Sequence, residues 1–461
     1  MKRFIGVALG FIACTALAAG RELPPAPGQP RDFILPKRET VQLGNGLSLT
    51  FIDYGSVPKV TVFAVIRTGN IDEGASTWLA DVAVEMLKEG TTTRSAADIA
   101  RSAAGMGGAL SVGAGAEQTS VGISVLSEHA TDAADLIADV LRNPRFPEAE
   151  LPRVLANFER SLSVARNEPD SIAAEALAKL VYGDHPFGHA LPAPGQLETY
   201  DMAAVRGFYE RNFGARRTHV YVAGRYDRSA LETALRSAFG DWREGPAPSN
   251  LPPSVSATMQ LQLIDRPDSP QSSLRMAVAV PDPASALYFP TTLTNSLLGG
   301  TMSSRITTNL REDKGYSYSP DSSISAHRGN ALWIMNAEIT AGHTAEAITE
   351  IFHEIDRLQQ EPPAAAELDA IKRYRAGLFV IGNSSPNGVL GQLAFMDLHG
   401  LPAEFLTHWV ANMYAVTPQQ VTDVARQFIQ PARMTIVIVG DLKLIGDSVR
   451  ALPQLQGARM P

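Results

Sequence analysis

The stretch Thr435–Gly440, of sequence TIVIVG, decides the organisation of the chain, because an earlier stretch, His219–Gly224 (HVYVAG), repeats its pattern. Both are runs of apolar and β-branched residues that predict a buried strand, and both end in glycine. A helical pattern precedes each, Val205–Phe213 in the first case and Gln419–Phe428 in the second. The two glycines are 216 residues apart (224 to 440). A repeat of this length is typical of a duplicated domain rather than of a solenoid.

The same spacing connects the beginnings of the two repeats, since it leads from Leu43 to Met259, where a second strand-rich run begins. Strands and helices come in separate runs within each repeat, which favours an α+β fold over regular βαβ alternation. We therefore predict two homologous halves, each an antiparallel or mixed sheet covered by helices. The N-terminal half is expected to span residues 41–244 and the C-terminal half 258–461, with a Pro- and Ser-rich linker, 245–257, between them.

The beginning of the chain predicts export. Residues 1–19 combine two basic residues, an apolar run and small residues before a cleavage position, which is the pattern of a secretory signal peptide. A Pro-rich leader, 20–40, follows. We therefore expect a periplasmic protein. A rival interpretation makes Cys14 the lipidated residue of a membrane-tethered lipoprotein, although the bulky residues before it fit that pattern poorly.

The composition excludes several classes of protein. With 461 residues, 45% hydrophobic and 19% charged, the chain has the balance of a globular protein rather than of a disordered chain or a fibre. Its net charge of −8 gives no electrostatic reason to bind nucleic acid. A single cysteine, Cys14, excludes structural disulfides and cysteine-based zinc sites.

Three motifs carry a resemblance to a known family. The C-terminal half contains Leu298–Arg305 (LGGTMSSR) and then Leu310–Ser319 (LREDKGYSYS), and the N-terminal half contains Tyr182–Gly188 (YGDHPFG). Together with the duplicated halves, these motifs make the chain from about residue 40 to 450 resemble the insulinase/pitrilysin family of zinc peptidases. The resemblance implies a duplicated fold and peptide hydrolysis as the family's chemistry.

In that family, a helix of the N-terminal half carries the zinc motif H-x-x-E-H. The two histidines bind zinc from one helical face, the glutamate takes a proton from the zinc-bound water, and a glutamate about 76 residues further on completes the site. Aligned on the apolar stripe and the following Gly-Thr, this chain has Asp81 and Glu85 at the histidine positions, Val84 at the general base and Ser161 at the distal ligand. The resemblance therefore implies no zinc and no other cofactor in this chain.

Other residues offer alternatives to this interpretation. The carboxylates of Asp81 and Glu85 could bind Mg²⁺ or Ca²⁺ in a stand-alone hydrolase, but they fit better in the outward stripe of an amphipathic helix, with Glu85 paired to Lys88. Glu159 could be a misregistered distal ligand, but two residues turn a helix by about 200°. We favour an amphipathic helix from Trp78 to Lys88, whose predicted core residues are Leu79, Val82, Ala83, Met86 and Leu87.

Two further patterns predict structure rather than chemistry. His185 and His189 enclose a proline and a glycine that oppose a regular helix, and the resemblance makes this segment a structural turn. The glycine-rich run Gly105–Gly115 lacks the Lys-Ser/Thr of a phosphate-binding loop, so it predicts a twisted hairpin.

The resemblance also assigns roles to Arg311 and Tyr318, which are seven residues apart. In the family, such a pair from the C-terminal half reaches towards the zinc. The tyrosine hydroxyl stabilises the carbonyl oxygen of the scissile bond as it becomes negative, and the arginine binds the substrate backbone. The alternative is an ordinary surface arginine and a strand tyrosine.

A lost zinc motif beside a retained Arg/Tyr pair implies a zinc-less subunit of a heterodimeric metallopeptidase. Arg311 and Tyr318 would then complete the zinc site of a homologous H-x-x-E-H partner, with peptides or unfolded polypeptides as substrates. Zinc is expected in the partner, and activity only in its presence. The alternative is a catalytically inactive scaffold subunit that binds peptides or partner proteins without hydrolysis.

Overall fold

The computed structural model describes residues 33–255 and 258–460. The predicted signal peptide, the leader up to residue 32, residues 256 and 257 of the predicted linker, and residue 461 lie outside the described residues. Within the described ranges, no helix is long and apolar enough to cross a membrane.

Two β-sheets form the framework of the molecule. The N-terminal sheet has the strand order β1-β2-β6-β3-β5-β4, and the C-terminal sheet has the order β7-β11-β8-β10-β9. The strands of the first sheet are β1 (Arg38–Gln42), β2 (Ser48–Asp53), β3 (Lys59–Ile66), β4 (Ser111–Ala114), β5 (Thr119–Leu126) and β6 (Thr218–Gly224). Those of the second are β7 (Gln260–Asp265), β8 (Gln271–Val280), β9 (Asp321–His327), β10 (Asn330–Thr340) and β11 (Thr435–Gly440).

The two sheets share one topology, apart from the additional edge strand β1. In each, the opening strand pairs in parallel with the closing strand, β2 with β6 and β7 with β11, and all other pairs are antiparallel. The register also corresponds, because Asp53 pairs with Gly224 and Asp265 pairs with Gly440. The predicted α+β fold with two homologous halves is therefore confirmed.

Helices cover both sheets. Those of the N-terminal half are α1 (Leu79–Glu85), α2 (Ala96–Gly105), α3 (Ala130–Arg142), α4 (Leu151–Asn167), α5 (Pro169–Tyr182), α6 (Met202–Asn212) and α7 (Arg228–Phe239). Those of the C-terminal half are α8 (Tyr288–Leu298), α9 (Arg305–Thr307), α10 (Thr344–Gln360), α11 (Ala365–Gly382), α12 (Pro386–His399), α13 (Trp409–Ala415), α14 (Pro418–Phe428) and α15 (Leu442–Arg450). In the N-terminal half, α3 packs against β3, β5 and α7 through its apolar face.

Helices α5 and α12 cross between the halves. Both have 14 residues, begin with proline and end at a glycine with positive φ, Gly183 (φ +60°) and Gly400 (φ +64°). Helix α5 packs against β8 and β11 of the C-terminal sheet, whereas α12 packs against β3 and β6 of the N-terminal sheet. Each sheet is thus covered on one face by a helix from the other half.

Polar contacts fix both crossing helices. The guanidinium of Arg275 on β8 donates two hydrogen bonds, of 2.8 and 2.7 Å, to the carboxylate of Asp170 on α5. On the opposite side, Asp397 on α12 lies 2.7 Å from His219 Nδ1 on β6, and its carboxylate also accepts from the hydroxyl of Tyr221. These contacts and the apolar packing between them make the two halves depend on each other.

The segment around His185 is the structural turn that the resemblance implies. Pro186–Gly188 forms a 3₁₀ turn rather than a helix, and His185 Nε2 lies 3.0 Å from the carbonyl oxygen of Leu251. The ring of Phe187 stacks on that of His327 at the end of β9, with 3.9 Å between the centroids. The turn therefore joins the N-terminal half to the C-terminal sheet.

Candidate functional site

Three of the positions that the resemblance aligns with the zinc motif lie on helix α1, whose apolar side chains are used for packing. All five predicted core residues of this helix are buried. Val84, at the general-base position, is also buried (1% exposed) because α1 is surrounded by α4, α6 and β4. Glu85 forms the predicted ion pair with Lys88, with 2.7 Å between carboxylate and ammonium.

The helix is shorter than predicted. The pattern predicts Trp78 to Lys88, but α1 ends at Glu85 and Met86–Glu89 continues as a 3₁₀ turn. Trp78 lies before the helix with φ +68°, a left-handed conformation that costs energy in a bulky residue. Its indole N–H donates to the carbonyl of Ala190 at 3.1 Å, which holds this strained entry in place.

Asp81 is bound by an amide rather than facing solvent in the predicted outward stripe. Asn70 Nδ2 donates to Asp81 Oδ2 at 2.7 Å and to Glu73 Oε2 at 3.2 Å, so one amide joins two carboxylates. Glu73 also accepts from the backbone N–H groups of Trp78 (3.0 Å) and Ala80 (2.9 Å) at the start of α1. Burial raises the pKa of Asp81 and raises that of Glu73 to about 7. These carboxyl groups therefore hold the N-terminus of α1.

The remaining zinc-motif position has no metal-binding environment. Ser161 is exposed on α4, and its hydroxyl donates to the carbonyl of Asn157 at 3.2 Å. Glu159, the misregistered alternative, is also exposed. Over the whole described part of the chain, no group of three or more His, Cys, Asp or Glu side chains is placed to hold a metal ion.

Arg311 and Tyr318 are brought together by a wide turn. Arg311 lies in a π-helical turn, Thr308–Asp313, and Gly315, with φ +68°, reverses the chain before Tyr318. The guanidinium carbon of Arg311 lies 4.9 Å from the centroid of the Tyr318 ring, a cation–π contact. Tyr318 is 77% exposed, and its hydroxyl has no hydrogen-bond partner among the described residues. This phenol is free to donate to a ligand.

The loop that carries Tyr318 is tied to the C-terminal sheet. The N–H of Tyr316 donates to the carbonyl of Leu310 at 2.8 Å, and its own carbonyl accepts from the N–H of Thr340 at the end of β10. Ser317 forms an isolated antiparallel bridge with Ile339. The position of the phenol is therefore set by a buried strand, even though its ring is exposed.

Sequence reasoning missed Asn70 and Glu73, which hold the start of α1. The only signal was three polar residues within Asn70–Glu73, between a strand and a helix, and such segments usually belong to surface loops. It also missed the hydrogen bond from Asn309, within the Arg311 turn, to Glu350 on α10.

Comparisons with known proteins agree with the geometry of both halves. Residues 53–195 match the family model described as Insulinase (Peptidase family M16), and residues 200–374 match the model described as Peptidase M16 inactive domain. The chain belongs to the M16 peptidase family. The resemblance to the insulinase family is thereby confirmed, and the replaced zinc-motif positions identify an M16 member without an H-x-x-E-H motif in its own sequence.

Similarity to curated relatives and to solved structures extends over most of the chain. An uncharacterized zinc protease of Mycobacterium tuberculosis is 25% identical over 437 residues, which cover 93% of this chain and 98% of the relative. One from Bacillus subtilis is 25% identical and covers 85% and 95%. The crystal structure of a peptidase M16 inactive domain from Pseudomonas fluorescens has a TM-score of 0.82 at 23% identity, covering 87% of this chain and 98% of that one. A protease from Helicobacter pylori gives a TM-score of 0.83 at 16% identity, covering 88% and 100%. These structures share the M16 fold.

Proposed function

We propose that this chain is the zinc-less subunit of a heterodimeric M16 peptidase and supplies Arg311 and Tyr318 to the zinc site of an H-x-x-E-H partner. The observation that carries the proposal is the contact between half-buried Arg311 and exposed Tyr318, in a chain whose zinc-motif positions form no metal-holding group among the described residues. Tyrosine and arginine are also the side chains that most often dominate binding interfaces.

The chemistry of the pair fits amide hydrolysis. The partner's zinc would supply the Lewis acid and the attacking water when bound. As the scissile carbonyl becomes tetrahedral, negative charge grows on its oxygen, and the Tyr318 hydroxyl would donate to that oxygen. A positioned donor of this kind stabilises a transition state by about 3 kcal/mol. Arg311 would hold a carbonyl of the substrate backbone, since its planar fork of donors stays charged at all relevant pH values.

The substrates would be peptides or unfolded segments, which can lie extended along a strand edge. We place the mature protein in the periplasm on the basis of the signal-peptide pattern at residues 1–19. A membrane tether would require lipidation of Cys14.

A scaffold role is the second candidate, and one observation favours it. The model that matches residues 200–374 is described as an inactive domain, and a fold alone does not imply chemistry. In that role the chain would bind peptides or partner proteins, and Arg311 and Tyr318 would make no contribution to hydrolysis.

Reconstitution distinguishes the two candidates. The mature chain is purified from its native host with whatever accompanies it, and any H-x-x-E-H protein so found is co-expressed with it. We expect chelator-sensitive peptide hydrolysis by the pair and none by either chain alone. Full hydrolysis by the H-x-x-E-H protein without this chain would favour the scaffold.

A further inference from the structure

The turn that carries Arg311 is closed by an unusual hydrogen bond. The N–H of Lys314 donates to the carbonyl of Asn309 at 3.0 Å, five residues back, as in a π-helix. Arg311 lies between these two residues. A π turn is rarer and less stable than an α turn, and it recurs at functional sites. Its geometry therefore needs support from elsewhere in the fold.

Helix α10 provides that support through one carboxylate. Glu350 Oε2 accepts from Asn309 Nδ2 at 2.9 Å, and Glu350 Oε1 lies 3.3 Å from Lys314 Nζ. Each carboxylate oxygen of Glu350 thus contacts one end of the turn, and the backbone hydrogen bond from Lys314 to Asn309 joins the two ends. Burial acts to raise the pKa of Glu350, but the hydrogen bonds from Asn309 and Lys314 outweigh it and leave that pKa below its ordinary value.

A second carboxylate lies beneath the first. Glu354, one turn further along α10 and 4% exposed, accepts from Asn309 Nδ2 at 3.1 Å and from Arg357 at 3.1 Å. The same helix buries Ile351, Phe352 and Ile355 in the core of the C-terminal half. The turn is therefore attached to a helix that does not move independently of the core.

We infer that Glu350 is a positioning residue for Arg311, which it clamps through both ends of the π turn. The inference rests on the proposed function for its effect on hydrolysis. Glu350 is not expected to touch substrate. Its role is to fix where the guanidinium stands relative to Tyr318, so that the pair meets a substrate without rearrangement.

The test uses Glu350→Gln in the reconstituted pair, with Glu346→Gln as the matched control. Gln keeps the size of the side chain and an acceptor for Asn309, but it loses the attraction to Lys314. Glu346 is exposed one turn earlier on the same helix, so its variant makes the same charge change without touching the turn. We expect Glu350→Gln to lower kcat/KM about tenfold and Glu346→Gln to leave it unchanged.

A double-mutant cycle separates positioning from general stability. If Glu350 acts through Arg311, Glu350→Gln adds no further loss in an Arg311→Ala background. A loss of the same size in both backgrounds would overturn the inference.

Amide hydrogen exchange on this chain alone gives a readout that does not depend on hydrolysis. We expect Glu350→Gln to accelerate exchange at the N–H of Lys314 while the amides of β10 keep their protection. Unchanged exchange at Lys314 would overturn the inference. If Arg311→Ala leaves hydrolysis intact, the proposed function fails, and the exchange measurement still decides whether the clamp exists.

Discussion

The guanidinium carbon of Arg311 lies 4.9 Å from the centroid of the Tyr318 ring, although six residues and a chain reversal separate the two residues. This contact lies in the C-terminal half, whereas the helix that would carry zinc in an M16 peptidase lies in the N-terminal half and holds packing and capping groups instead. On the proposed function, the chain would supply the substrate-facing part of a peptidase site, and the metal-binding part would come from its partner.

Replacing Arg311 by lysine tests whether substrate binding needs the planar guanidinium group of arginine. Lys keeps the charge but loses bidentate hydrogen bonding and stacking on the Tyr318 ring, so we expect KM of the reconstituted pair to rise about tenfold with a smaller change in kcat. Steady-state kinetics on a peptide substrate measures both. Arg373→Lys, at an exposed position on α11, is the matched control and should change neither constant. Equal kinetics for both variants would remove Arg311 from substrate binding.

The carboxyl group of Glu73 predicts a pH dependence of stability. Its pKa is about 7 in the folded chain, above its ordinary value of 4.5, so the folded state binds more protons between these values. The free energy of unfolding therefore falls as pH rises through this window, by about 3 kcal/mol for this group.

Glu73→Gln should remove that loss. The variant lacks one hydrogen-bond acceptor at all pH values. As pH rises from 4.5 to 8, the difference in the free energy of unfolding between the variant and the natural chain should nevertheless shift in favour of the variant. Denaturant unfolding at the two pH values measures the difference. Glu198→Gln, at an exposed site, should show no such trend. A pH-independent difference for Glu73→Gln would show that this carboxyl titrates normally.

The crossing of α5 predicts that the halves unfold together. Leu177 on α5 is buried (4% exposed) against residues of the C-terminal sheet. Truncating it to alanine should lower the free energy of unfolding by about 2–5 kcal/mol and shift the unfolding of both halves. Val164→Ala, at a 62% exposed position on α4, should cost less than about 0.5 kcal/mol. Unfolding of the N-terminal half alone would contradict the prediction that the two halves unfold together.

The duplication was predictable from sequence because two glycine-ended strands repeat after similar helices. The assumption of one constant spacing between equivalent residues of the two halves was only approximate. The spacing is 216 between Gly224 and Gly440, but 212 between Asp53 and Asp265, because the connecting loops differ in length. The crossing of α5 and α12 was not predictable, since helical periodicity shows which face is apolar but not which sheet it contacts.

For the candidate site, the sequence predicted individual residues but not the tertiary contacts around them. The apolar stripe of α1 gave its five core residues, but not the burial of Val84, which follows from three neighbouring elements. The Arg311–Tyr318 pair was found by resemblance and spacing. Its supports, Asn309 and Glu350, are 41 residues apart in sequence and meet only through tertiary packing.

The central claim is that Tyr318 stabilises charge on the substrate in a reaction at another subunit's zinc. The most direct measurement is kcat of the reconstituted pair with Tyr318→Phe, which removes the hydroxyl and keeps the ring beside Arg311. We predict that kcat falls about 100-fold while KM stays within a factor of two, because only the transition-state contact is lost. An unchanged kcat would contradict the claim.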